Sequence, residues 1–212
     1  IRKREGLMIT VYGAPGWGSA IAELMLTPAD VPYHFENVEG FDKPGPMQDR
    51  LLRLNPLCPV PTLQLDDGSV ITESAAIALM ILDIRPELAP PQGTPERQQF
   101  WRLLIWLVAN VYPTFTYADY PERFVSQAPE QLREQVIHHR KRLYVWLDQQ
   151  LKAMPYAFGE QLTLLDIYLC VMRTWGPRHS WFFENAPHIS AVADAVCAVP
   201  KLNKVLSDND II

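Results

Sequence analysis

Residues 85–96 read RPELAPPQGTPE, four prolines and one glycine in a single short stretch. Each proline fixes its own φ and removes a backbone donor, so neither a helix nor a strand runs through it. Before the break the pattern alternates between strand and helix. After it only helical spacing recurs. The chain is therefore expected to form one domain over 8–85, a linker over 86–94 and a second, all-α domain over 95–212.

The first domain opens with a strand over "MITVYG" (8–13), a short helix from Ser19 to Leu26 and a strand-like "YHFENV" (33–38), one βαβ unit. A helical "PMQDRLLRLN" (46–55) follows. Next come "PTLQL" and "SVIT", joined by Asp66-Asp67-Gly68, a hairpin signal because glycine tolerates positive φ. Ser74 is expected to cap a well-buried helix over 75–84. The order is βαβαββα. Beyond the linker, Thr94-Pro95-Glu96 has the order of N-cap, first and second helical residues. A helix from Pro129 puts Leu132, Val136, Leu143, Leu147 and Leu151 on one stripe and its Arg and His residues on a face expected to meet solvent. Thr163-x-x-Asp166 has the spacing of a capping box at the head of a helix that is apolar on every side. Shorter helices are expected around 189–198 and 201–206.

Charge narrows the functions. With 19 Lys+Arg against 24 Asp+Glu and a formal charge of −5, the chain lacks the basic surplus that binds nucleic acid or anionic lipid. No apolar run is long enough to span a bilayer, and residues 1–7 lack the apolar centre of a signal peptide, so those seven are set aside from the fold and a cytoplasmic location is expected. Cys58, Cys170 and Cys197 show neither C-x-x-C spacing nor an even count. That argues for a reducing compartment and against a disulfide framework or a metal site.

The candidate site starts at "VYGAPGWGSAIAEL" (11–24), where a strand passes through a glycine turn into a helix, the usual seat of an anion on backbone N–H groups. It is not a dinucleotide fingerprint. Ile21 stands where a small residue is required, and Pro15 interrupts the turn. No Gly-Lys-Ser/Thr follows, which excludes a P-loop. "NPLCPVPTL" (55–63) leads into a strand through Val60-Pro61, a bond that is either cis or an ordinary trans loop. Glu73 and Ser74 open the next helix, as a cap, as part of a site, or both.

Taken together in this order and spacing, these stretches resemble the cytosolic glutathione S-transferase superfamily of bacterial type, over nearly the whole chain from Met8. The resemblance implies a thioredoxin-like first domain, glutathione as co-substrate, an electrophilic small molecule as acceptor, and a homodimer. It also implies that Pro61 is cis, that the Val60 backbone pairs with the cysteinyl part of glutathione, and that Glu73 and Ser74 hold its γ-glutamyl group. The catalytic position departs from the family. Its cysteine and serine positions fall on Gly18 and Trp17, and its tyrosine position on Val11, one residue short of Tyr12. Ser19 is then the hydroxyl left at the helix mouth, as an N-cap, a catalytic group or both, with Tyr12 as the second candidate. The N–H groups of Gly18, Ser19 and Ala20 would share the thiolate, and Cys58 is read as a small buried hydrophobe. Trp106, Tyr112 and Trp175 are the expected apolar wall for the acceptor, with Arg178 or His179 as a nearby charge. The absence of a family catalytic side chain also suits a binding module that no longer catalyses.

Overall fold

The first strand, β1 (Ile9–Gly13), alternates its side chains between two buried layers, which makes it the natural centre of a sheet. The computed structural model of the chain describes residues 8–151 and 155–212. The seven residues set aside above lie outside these. Two compact units result, one reaching to Leu88 and taking in Val196–Ile212, the other Ala89–Ala195.

In the first unit α1 (Ser19–Leu26) is buried along its whole length. It leads to β2 (Tyr33–Asn37), α2 (Pro46–Leu52), β3 (Thr62–Gln64), β4 (Val70–Ile71) and α3 (Ser74–Ile84). The four strands lie in the order β2-β1-β3-β4. β1 pairs with β2 in parallel, as a βαβ unit must, and antiparallel with β3, with Thr62 opposite Tyr12. β4 returns antiparallel to β3, with Ile71 opposite Leu63, through a turn in which Gly68 takes φ +81°. This is the thioredoxin-like arrangement. Ser74 is not the cap of α3 but its first residue. Glu73 occupies the cap position and makes no side-chain cap bond. The helix is also less enclosed than its composition suggests, with Leu79 41% and Ile84 39% exposed.

The second unit contains helices and no strand among the described residues. Thr94 caps α4 (Pro95–Trp106) by accepting from the Arg97 N–H at 3.2 Å. Leu107–Val111 then forms a π-helical turn before α5 (Tyr112–Asp119). Pro113 explains the turn, because it cannot donate to the carbonyl four residues back and its ring crowds that carbonyl; the wider turn absorbs both. Next come α6 (Pro129–Gln150), α7 (Leu164–Trp175), α8 (His179–Asn185) and α9 (Pro187–Cys197). His179, one of the two residues expected to supply a charge, is the first residue of α8. Thr163 and Asp166 form the expected capping box at α7, where the Thr163 N–H and hydroxyl donate to Asp166 at 2.6 and 2.7 Å. The Ala157 N–H adds a third bond at 2.7 Å. Burial still pushes the Asp166 carboxyl up to about 6.

Candidate functional site

The strand registers put the end of β1, the start of β3 and the end of β4 at one end of the sheet. The glycine turn, Val60-Pro61 and Glu73-Ser74 therefore emerge together, although they are spread over more than sixty residues of sequence.

In the glycine turn Gly16 takes φ +75°, and Trp17 stands 40% exposed with its ring edge-on to Phe41 at 5.2 Å. Gly18 is the N-cap of α1 and Ser19 its first residue, so Ser19 is not the cap. Nor is its hydroxyl offered to a ligand. Ser19 Oγ is fully buried, donates to the Ala14 carbonyl at 2.9 Å and accepts from the Ala14 N–H at 3.1 Å. It fits there because Gly13 has no side chain, and a Cβ on Gly13 would fall on the Ser19 Cβ and Oγ. The expectation that Ser19 meets a thiolate is corrected on this ground, since its single proton is already given away. The Ala20 N–H is likewise taken, by the Trp17 carbonyl at 3.0 Å, whereas no backbone carbonyl among the described residues accepts from Gly18 or Ser19.

Tyr12 is buried in a cluster with Val38, Phe41 and Leu51, against which Cys58 and Val60 pack. Its hydroxyl donates to Gln64 Oε1 at 3.2 Å. The loop before β3 is held by Asn55, whose amide donates to Thr62 Oγ1 at 3.0 Å, while Thr62 donates to the Pro59 carbonyl at 2.8 Å. Val60-Pro61 is cis, and the N–H and C=O of Val60 meet no backbone partner among the described residues. Cys58 is only partly buried, its sulfur faces the Phe41 carbonyl at 3.7 Å, and burial raises its pKa, so it is no poised nucleophile. Glu73 is exposed and takes φ +64°, a backbone region that a glutamate occupies only when its surroundings require it.

A feature the sequence reading missed ties the glycine turn to the far end of the chain. The Gly16 N–H donates to Asn209 Oδ1 at 2.9 Å. Asn209 Nδ2 donates to Glu23 Oε1 at 3.2 Å and to the Val205 carbonyl at 3.0 Å, so both ends of the buried amide are used. The Tyr33 hydroxyl donates to Glu23 Oε2 at 3.3 Å, and burial raises the Glu23 pKa.

In the second unit Tyr112 and Trp175 meet with ring centroids 5.5 Å apart, and Phe115 joins Trp175 at 5.2 Å. Trp106 instead stacks on Trp146 at 4.3 Å. A charge that the sequence reading did not name reaches the Trp175 side from α6. Arg140 is buried beneath the aromatic cluster with its guanidinium 3.9 Å from the Phe115 ring centre, which corrects the solvent-facing assignment for Arg140, whereas His138, His139 and Arg142 are exposed as expected.

Comparison with known proteins agrees with this geometry. Residues 19–84 match the family model "Glutathione S-transferase, N-terminal domain". Over 205 residues the sequence is 66% identical to the "Uncharacterized GST-like protein YncG" of Escherichia coli (strain K12), covering 97% of this chain and all of the relative. The chain belongs to the glutathione S-transferase family. A second family relative, "Glutathione S-transferase GstA" of Escherichia coli O157:H7, is 25% identical over 93% of this chain and 96% of its own length. The crystal structure of a glutathione transferase from Methylococcus capsulatus str. Bath superimposes with a TM-score of 0.76 at 26% identity, covering 96% of this chain and all of that one. As in the sequence, the family features concentrate in the first unit, at the sheet end where Val60 and Glu73 emerge.

Proposed function

We propose that the first unit binds glutathione and activates its thiol for attack on an electrophilic, mostly apolar small molecule. The observation that carries this reading is the convergence of three features at one sheet end. These are the Val60 backbone pair, the exposed Glu73 at the head of α3, and the N–H groups of Gly18 and Ser19 at the head of α1. In this arrangement the Glu73 carboxylate meets the ligand's ammonium group, and Ser74 with the α3 N-terminus meets its α-carboxylate. Val60 pairs with the cysteinyl amide across the Val60-Pro61 turn. The sulfur then rests at the mouth of α1, where the helix dipole and the N–H groups of Gly18 and Ser19 favour the thiolate. The thiol releases its proton to solvent, and the sulfur bonds to the electrophilic carbon as the leaving group departs with its electron pair. Tyr112 and Trp175 are assigned to the acceptor wall. Trp106, drawn toward Trp146, keeps a place there only at the periphery.

A second reading has an observation of its own. Ser19 and Tyr12 have both committed their hydroxyl protons, so a fold that binds glutathione without activating it is the competing function. Ultraviolet titration of bound glutathione separates the two. Activation predicts a thiol pKa about one to two units below the free value of about 8.5, unchanged in Ser19→Ala and Tyr12→Phe because backbone groups do the work. A fall in activation confined to Tyr12→Phe would return the role to that tyrosine, and bound glutathione with an unshifted thiol would select the binding module. Glu73→Ala should weaken glutathione at least about tenfold, the loss of one charge-assisted contact; unchanged affinity by calorimetry would overturn the site. The half-exposed Leu79 and Ile84 on α3 support a homodimer, for which sedimentation should give twice the 24.2 kDa chain mass. No disulfide joins the three cysteines among the described residues, which suits a cytoplasmic setting.

A further inference from the structure

The second unit contains a cavity of about 460 Å³ bounded by the end of α5, one face of α6 and the turn after α7, with Arg133, Ile137 and Arg140 on the α6 side and Trp175 and Pro177 opposite. This volume lies in the range that holds small organic ligands. Arg140 dominates its chemistry. It is 5% exposed, yet among the described residues its guanidinium makes one long hydrogen bond, from Nη2 to the Thr114 carbonyl at 3.5 Å, and its buried Nε has no partner. No carboxylate among the described residues lies within ion-pair distance of it. A guanidinium has five donors and cannot shed its charge, so burying one this incompletely is costly unless something else completes it.

The other charges in the cavity do not complete it. Arg133 is already engaged, donating from Nε to the Ala118 carbonyl at 2.8 Å and from Nη1 to Glu130 at 3.1 Å. Asp119 lines the same cavity from α5, but it is exposed and makes no ion pair with either arginine among the described residues; it feels both only at longer range, and desolvation outweighs that attraction and raises its pKa. What remains is a buried positive centre facing an open volume, with an indole wall at Trp175 and aliphatic surface at Ile137 and Pro177. We propose that this cavity binds a small aromatic carboxylate, its carboxylate on the Arg140 guanidinium and its ring against Trp175. The planar fork of Arg140 suits a two-oxygen acceptor, and the aromatic wall suits a flat apolar body. Trp175 is shared with the acceptor wall assigned above, but the inference does not depend on glutathione binding to the first unit.

The test therefore uses the full chain without glutathione. Benzoate is titrated by calorimetry and by the change in Trp175 emission, identified as the part of the signal lost in Trp175→Phe. Benzamide is the neutral probe of the same shape, and inorganic phosphate is the anion without a ring. Benzoate should bind saturably and at least about tenfold more tightly than either, and Arg140→Gln should remove that preference. Asp119→Asn, at an exposed position, should tighten benzoate severalfold by removing the opposing charge, which keeps the test decisive even if Arg140→Gln folds poorly. Equal binding of benzoate and benzamide would overturn the proposal. So would a benzoate affinity unaffected by both substitutions, or no saturable binding at all.

Discussion

Ser19 and Arg140 are both buried polar side chains next to a candidate site, and they use their hydrogen-bonding capacity in opposite ways. Ser19 gives its proton to one Ala14 group and takes one from the other, closing a loop within five residues. Arg140 leaves Nε unanswered beside a cavity. A polar group whose bonds all close inside the protein holds the backbone, whereas one left incomplete next to open volume has capacity for a ligand.

The sharpest way to break this comparison is Gly13→Ala. The new Cβ collides with Ser19 itself, so α1 must shift, and a loss of about 3 kcal/mol or more is expected in denaturant unfolding. An unchanged midpoint would mean that the Ser19 pocket yields easily. Next in size is the other internally closed group, Asp166. Its carboxyl is raised from 3.8 to about 6 in the folded state, so the folded protein binds a proton that the unfolded chain has already lost between those values. This contribution to stability is complete below about pH 4 and disappears as pH rises through about 6, a difference of about 3 kcal/mol. Subtracting the stability of Asp166→Asn at each pH isolates it, and a difference that stays flat from pH 4 to 7 would refute it. Ser19→Ala should cost about 2 kcal/mol, because it strands the buried Ala14 N–H, the Ala14 carbonyl keeping the bond it accepts from the Trp17 N–H at 3.1 Å, while glutathione affinity stays within about twofold. The smallest effect is expected at Arg140. Arg140→Met should change stability by less than about 1 kcal/mol or raise it slightly, since an apolar chain over Phe115 replaces an incompletely bonded cation. A large loss there would show that Arg140 holds the fold as Ser19 does.

What the sequence revealed follows the same division between local and distant chemistry. The Thr94-Pro95 start of α4 and the Thr163-x-x-Asp166 box were legible because each is settled within four residues. The element order βαβαββα was legible because the hydrophobic period and the Asp-Gly hairpin signal it. The role of Ser19 was not, because it depends on the missing side chain of Gly13 across the turn. Arg140 looked solvent-facing because its helical stripe is read one helix at a time, and the Phe115 that covers it belongs to a different helix. The contact of Trp106 with Trp146 was hidden for a similar reason, since Trp146 lies forty residues further on. The clamp of Asn55 on Thr62 was within reach, because an Asx turn is marked by Asn55-Pro56 and by the Leu57 N–H that bonds its side chain at 3.2 Å.

The bond from Gly16 to Asn209 spans 193 residues. During synthesis, Gly16 emerges from the ribosome long before its partner, and the whole of the second unit is made in between. The strands and α1 can assemble early from their own contacts, but the loop that would cradle a ligand's sulfur gains its last hydrogen bond only when the final helix arrives. Completion of the first unit is therefore a late event, and a nascent chain should acquire its sheet before its binding loop is fully held.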